Sequence, residues 1–228
     1  MRVMTHRALT IFVLCALILA ACRRDVPQPD AGALLASAAT RMEGVDRFHY
    51  VLEHEHGATT TALGFQILHA EGDVDGPERV QAAIKGLFGT VGIETGVVIL
   101  DGQSWFQNPL TRRWEPQQLS IREIFDARSG VVAMIRAARS PRVTGTERLA
   151  GVGVHRVEAV LAAEALTLLP GALERGREVR AVAWIGVQDS LVYRVELRGP
   201  VATGEADGIV RRLTLSKFGE VVAIVPPR

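Results

Sequence analysis

Cysteine is nearly absent from this chain: there are two in 228 residues, Cys15 and Cys22. Neither is available to a folded domain. Cys15 sits inside an apolar N-terminal run that reads as a removable leader, and Cys22, just after it, stands alone ahead of the stretch expected to fold. After export no disulfide, thiolate zinc site or thiol nucleophile is expected. Roughly 200 remaining residues must then be stabilised by their own core, which is enough chain to bury one. A long hydrophobic segment is missing too. The apolar stretch from Ala8 to Ala21 is shorter than the roughly 20 residues a membrane-spanning helix needs. An excess of one charge is also lacking. The formal net charge of +1 falls to −1 once Arg2 and Arg7 leave with the leader, which offers nucleic acid no footprint.

Signatures of catalysis are lacking as well. Ser104, Ser190 and Ser216 stand in turn or strand contexts without a nucleophile-elbow motif. No glycine-rich phosphate loop follows a strand and opens a helix. His54 and His56 share one face of a strand, with His69 or Glu71 as the nearest source of a third metal ligand. The plainer reading is a polar strand end before Gly57. Asp73, Asp75 and Glu78 read as a solvated acidic turn rather than a calcium loop. The expectation is a non-enzyme without metal or cofactor.

What is present begins with an address. Arg2 and Arg7 precede the apolar run, which ends Leu19-Ala20-Ala21-Cys22 and resembles the bacterial lipobox. That resemblance implies cleavage before Cys22 and its diacylation. Residues 1–21 are then a signal peptide and 22–30 the lipidated cysteine and tether, with 31–228 one domain. The tether, RRDVPQPD, is polar and proline-bearing. Arg23 and Arg24 favour anionic headgroups. The protein is expected on the extracytoplasmic face of the cell membrane.

Ala31 to Met42 has the pattern of a short amphipathic helix that Gly44 can end. From Phe48 the period becomes two: Phe48, Tyr50 and Leu52 share a face, and Leu63, Phe65 and Ile67 repeat it. Val80, Ala82 and Ile84 alternate with polar residues. Gly86, Gly89 and Gly92 punctuate Leu87, Phe88, Val91 and Ile93, the mark of a bent strand or bulge. Val91 to Leu100 is followed by Asp101-Gly102, a hairpin signal. Further strand patterns cover Arg142–Leu149, Val152–Leu161, Val179–Val187, Leu191–Arg198 and Gly208–Phe218, and Glu220–Val225 has the pattern of a last edge strand. A short helix is expected over Ala162–Leu169, closed by Pro170-Gly171. Arg211, Arg212 and Lys217 would make one strand face basic. Short turns between successive strands call for antiparallel pairing, and neither βαβ alternation nor a fixed repeat is visible. The fold class is α+β: a large antiparallel sheet of about ten strands, curled, with its helices on the concave face.

The longest helical pattern among these strands is Ser120 to Ser140. Ser120 and Glu123 have capping-box spacing. Ile121, Ile124 and Phe125 fall on one face, Ser129-Gly130 interrupts the run, and Val131, Met134, Ile135 and Ala138 continue it to Pro141. Arg122, Arg128, Arg136 and Arg139 can take the wet side. The apolar face must lie on the sheet, either in a filled core or against a gap that takes an apolar ligand.

The chain from Phe48 to Pro227 resembles the LppX/LprG family of bacterial lipoproteins. The resemblance is carried by Ala70-Glu71-Gly72-Asp73-Val74, by Val97-Val98-Ile99-Leu100-Asp101-Gly102 and by Trp114. It continues through Asp126 to Ile135, Val143-Thr144-Gly145-Thr146-Glu147, Trp184-Ile185 and the close LTLSKFGEVVAIVPP. Ala127 stands where the family usually has proline. The resemblance implies an open half-barrel whose concave face, with its helices, encloses an apolar cavity for acyl chains. Phe65, Ile84, Phe88, Ile121, Ile124, Phe125, Met134, Ile135 and Trp184 are the expected lining. It implies a membrane-anchored carrier of lipid or glycolipid acyl chains, with an envelope transporter as a possible delivery partner. The alternative is an envelope interaction or sensor lipoprotein that binds a protein partner and keeps a filled core.

Overall fold

Strands dominate the computed structural model, which describes residues 28–61, 64–119, 127–167, 169 and 173–228. In chain order the elements are α1 (Ala31–Glu43), β1 (Arg47–Glu55), β2 (Thr59–Thr60), β3 (Phe65–Asp75), β4 (Arg79–Phe88), β5 (Val91–Leu100), β6 (Gln103–Gln107) and β7 (Trp114–Pro116). These are followed by α2 (Ala127–Ala137), β8 (Arg139–Leu149), β9 (Val152–Ala162), a 3-10 turn at Ala163–Ala165, β10 (Glu178–Gly186), β11 (Val192–Arg198) and β12 (Val210–Ser216). The strands make one open 12-stranded sheet, ordered β7-β6-β5-β4-β3-β1-β12-β11-β10-β9-β8, with β2 paired to β3. Every pairing among the described residues is antiparallel.

Two meanders, β3 to β7 and β8 to β12, form the wings of this sheet, with β1 between them. The outermost strands β7 and β8 are neighbours in sequence but opposite edges in space. The chain between Pro116 and Arg139 therefore leads from one edge to the other, and α2 lies on that crossing. Both helices belong to the apolar cluster of the inner face, with Phe48, Tyr50 and Leu52 from β1 and Leu213 and Leu215 from β12. The period-two alternation read in β1 is thus the alternation between faces.

Close approach of neighbouring strands depends on two glycines. A Cβ on Gly72 would stand 2.0 Å from the Gln81 carbonyl oxygen and 2.9 Å from the Tyr50 hydroxyl, so the buried Tyr50 ring lies across it. Burial, reinforced by nearby Asp73, holds that phenol well above its ordinary pKa. Gly86 is covered likewise by the Phe65 ring, 2.7 Å from where a Cβ would be. Opposite it the β3–β4 register shifts between Ile67 and His69. The bend expected around Gly86 is therefore a bulge in β3 that faces it.

Several sequence expectations need correction. The helix runs through Ser129 and Gly130 without a break and ends at Ala137, while Pro141 belongs to β8, an edge strand that tolerates its missing N–H. Arg139 is accordingly a strand residue. Among the described residues between Ala162 and Leu169 only the short 3-10 turn forms, and the expected close at Pro170-Gly171 lies outside the described residues. Glu220–Val225 is not a strand, because β12 already has β1 and β11 on its two sides and offers no free edge. Arg211 is not on a basic surface but 1 % exposed on the inner face. Its guanidinium is paired with Glu205, donates from Nε to Thr59 Oγ1 at 2.9 Å and from Nη1 to the Gly199 carbonyl at 3.3 Å. Arg212, on the outer face, is paired with Glu55 and Glu196.

Thr59 passes this network on to His54. The Leu68 carbonyl, 3.0 Å from His54 Nδ1, can only accept, so Nδ1 carries the proton. Nε2 is then the acceptor for the Thr59 hydroxyl at 2.7 Å, which needs a neutral ring. Desolvation is the main reason that the His54 pKa falls from 6.5 to about 4; the Leu68 bond opposes the fall and Arg211 adds to it. The unfolded chain binds this proton below pH 6.5 and the folded chain refuses it until about pH 4, so stability declines as pH falls through that interval. Replacing His54 with Asn is expected to remove about 2 kcal/mol of the stability difference between neutral pH and that lower limit, read by denaturant unfolding at both. A Gly72→Ala substitution is expected to cost ~1–3 kcal/mol by overpacking against Gln81 and Tyr50. Gly92→Ala, with nothing within 4 Å of the new Cβ, stays within about 0.5 kcal/mol, and melting curves compare the two.

Candidate functional site

The inner face is covered unevenly. Asp30 caps α1, its Oδ1 accepting from the Ala33 amide at 2.7 Å, and Gly44 closes the helix. The spacing of Leu35, Ala38, Ala39 and Met42 turns one side of α1 inward, where all four are buried. On α2, Val131, Val132, Met134 and Ile135 are buried in the same cluster. The two helices pack together, and an Arg136–Glu43 ion pair joins them at the surface. Against them lie Val157, Leu161, Val179, Ile185 and Val192, so the second wing carries a filled core.

The first wing differs. Val74, Val80 and Ala82 are buried, but the apolar row loses its cover towards the β4–β5 turn. Phe65, Ile84 and Ile93 are half-buried, while Phe88 is 56 % and Val91 60 % exposed. Register fixes their neighbourhood. Phe65 faces Phe88, Phe88 faces Val91, Gly86 faces Ile93, and Ile84 lies opposite Ala70 and Thr95. All are on the helix-bearing face, and Phe65 and Ile84 pack on the margin of the core cluster. The Thr95 hydroxyl is satisfied within the protein, donating to the Gln107 carbonyl at 2.6 Å. The strip can take methylene groups by burial, at about 25 cal/mol for each Å² of apolar surface covered. A second opening is a groove of about 420 Å³ between the helices, bordered by Leu35, Ala36, Ala39, Ile135, Ala138 and Pro141.

Of the residues expected to line a cavity, the structure brings Phe65, Ile84 and Phe88 together on this strip. Met134 and Ile135 are placed in the packed helical layer, with Ile135 reaching the helix–helix groove. Ile121, Ile124, Phe125 and Cys22 lie outside the described residues. Trp184 is on the other side of the sheet. Its Nε1–H donates to Glu147, and the guanidiniums of Arg156 and Arg194 stand 5.9 and 5.7 Å from its ring. Strand β10 is apolar on both faces, with Val179, Ala181 and Ile185 inward and Val182 and Trp184 outward, so its pattern does not tell which face the tryptophan takes. Two strip residues, Val91 and Ile93, were missed, although their alternation with glycine and glutamate continues that of Ile84 and Phe88. The histidine pair is no metal site in this arrangement, since both His54 ring nitrogens are used by Leu68 and Thr59.

Comparison with known proteins agrees with this architecture. The crystal structure of LprF from Mycobacterium bovis superposes with a TM-score of 0.67 at 15% identity, covering 88% of this chain and 98% of that one. Lipoprotein LppX from Mycobacterium tuberculosis gives a TM-score of 0.60 at 20% identity, over 86% of this chain and 100% of that one. At such identities these likenesses speak to the fold. Among curated proteins, none matches the sequence. The sequence model of the LppX_LprAFG lipoproteins matches residues 30–224, nearly the whole described chain, and the protein belongs to the LppX_LprAFG lipoprotein family.

Proposed function

We propose that this protein is a membrane-anchored lipoprotein that binds the acyl chains of a lipid on the inner face of its first wing and carries them within the cell envelope. The observation that supports it most is the incompletely covered strip of Phe65, Ile84, Phe88, Val91 and Ile93, continuous with the core yet open to solvent. An apolar row of that kind in a water-exposed fold marks a surface meant to be covered. Each methylene buried there contributes about 0.8 kcal/mol, so a long chain is held without a specific polar contact and headgroup selectivity is loose. Among the described residues no helix is long and apolar enough to cross a membrane. Attachment is assigned to Cys22 on the strength of the lipobox-like Leu19-Ala20-Ala21-Cys22.

Lipid occupancy tests the strip. Domain expressed without residues 1–22 is expected to co-purify with lipid, detected by native mass spectrometry. Phe88→Asp is expected to reduce that occupancy at least tenfold, because a charge in contact with acyl chains loses its hydration. Its melting temperature should hardly move, since the side chain is already 56 % exposed. Repeated ligand-free spectra of the unaltered domain would contradict the carrier reading and favour a protein-binding lipoprotein.

The anchor has its own test. Cys22→Ser is expected to leave the fold intact and to release the protein from the membrane, because the acyl chains supply most of the attachment. Fractionation of cells carrying the variant measures this. Unchanged membrane retention would contradict lipidation at Cys22 as the means of attachment.

A further inference from the structure

The outer face of the second wing carries an arginine-lined groove that the lipid-binding reading does not use. Its volume is about 420 Å³, and four arginines, Arg142, Arg156, Arg180 and Arg198, line it together with a single carboxylate, Glu158. Val160 and Val182 form part of its floor. Alternation puts all of these side chains outward: Arg180 pairs in register with Val160 on one side and Arg198 on the other, and Glu158 with Val182 and Arg142.

Charge in this groove is under-compensated. Glu158 is shared by Arg142 and Arg156, each at 2.7 Å. Glu196, on the neighbouring strand, is shared by Arg198 and Arg212. Arg180, between these two sets, has no ion pair among the described residues. It also stands directly opposite Arg198 across the β10–β11 pair. Like charges in that position repel and destabilise the pairing. An anion lodged between the two guanidiniums would turn the repulsion into two charge-assisted contacts, and phosphate suits the planar guanidinium fork.

The position of the groove says where such an anion would come from. Helix α1, the first element after the tether, shares its groove with Ala138, which precedes β8, and with Pro141, among that strand's first residues. Ser140 and Arg142 of the same stretch border the arginine groove on the opposite side of the sheet. The N-terminal attachment and the groove therefore meet at one end of the edge strand β8. The eight residues from Arg23 to Asp30 span at most roughly 28 Å when extended, so an anchored domain keeps this edge close to its membrane. We propose that the Arg142–Arg156–Arg180–Arg198 groove docks on net-anionic phospholipid headgroups of the anchoring membrane, whose phosphate has no cationic partner of its own, and orients the sheet against it. This rests on the reading that Cys22 is the anchor, and it is independent of whether the inner face holds cargo.

Arginine modification by phenylglyoxal, mapped by peptide mass spectrometry on the full acylated chain, tests it. The chain is placed on phosphatidylcholine vesicles with and without phosphatidylglycerol. Modification of Arg180 and Arg198 is expected to slow roughly fivefold on the acidic vesicles, the size of effect expected for a basic side chain held at an anionic surface. Arg113, in the loop between β6 and β7 at the far edge, should react equally on both. In the double variant Arg180→Glu/Arg198→Glu, the lipid-dependent protection of Arg142 should vanish while flotation with the vesicles and lipid occupancy persist. Equal modification of Arg180 and Arg198 on the two vesicle types overturns the proposal. Equal protection by inorganic phosphate on neutral vesicles also overturns it, since the site would then take a free anion. A chain that floats with neither vesicle overturns the anchor and the groove together, whereas loss of cargo alone touches only the inner face.

Discussion

Everything in this fold depends on the pairing of β1 with β12. Seven residue pairs, from His49 opposite Ser216 to Glu55 opposite Val210, join the first strand to the last and so unite the two meanders in one sheet. Without this pairing each wing would expose an edge and half of an apolar face. The loop closed by these contacts takes in most of the chain, so its entropic cost falls late and is recovered only when both wings are formed. At one end of the seam, Arg211, Thr59 and His54 are hydrogen-bonded in sequence, with Glu205 balancing the buried guanidinium. A buried charge without its partner would be strongly destabilising there. The seam is thus fixed by backbone ladder, apolar contact and a satisfied polar network at once.

Among the described residues, the open sheet presents more apolar surface on its inner face than the helices α1 and α2 cover. Both helices lean on the second wing, through contacts of α1 with β8 and of α2 with β9. The first wing keeps its covered rows near β1 and loses cover towards Phe88 and Val91. This asymmetry joins a packed half to a half whose apolar row is incompletely covered. The same chain thereby obeys two demands: a core large enough to stand without disulfides, and apolar surface held back from that core.

Much of the architecture was legible because one-sided strands announce themselves. Phe48, Tyr50 and Leu52 alternate cleanly, and Asp101-Gly102 turns β5 into β6 with both residues at positive φ, as a two-residue hairpin requires. Legibility failed where both faces of a strand are apolar. In β10 nothing in the period distinguishes the Ile185 side from the Trp184 side, and only the position of the helices settles it. Gly130 looked like a helix break because glycine is a poor helix former, yet tertiary burial of Val131, Met134 and Ile135 outweighs that preference of about 1 kcal/mol. Arg211 and Arg212 offered a signal that was there to be read: adjacent strand residues point to opposite faces, so one of the two had to turn inward and find a partner. Of the candidate site, Phe65, Ile84 and Phe88 were recognisable as one face, while their exposure depends on where the helices settle and could not be read from spacing.

The central claim is that the inner face of the first wing, and not the packed second wing, receives acyl chains. Methyl NMR of selectively labelled isoleucines in the delipidated domain, titrated with a phospholipid below its aggregation limit, tests it most directly. The account predicts large shift changes, and contacts to acyl protons, for Ile84 and Ile93 on the strip, with Ile185 of the second-wing core unaffected. Changes centred on Ile185, or none at Ile84 and Ile93 while lipid binds, would contradict it.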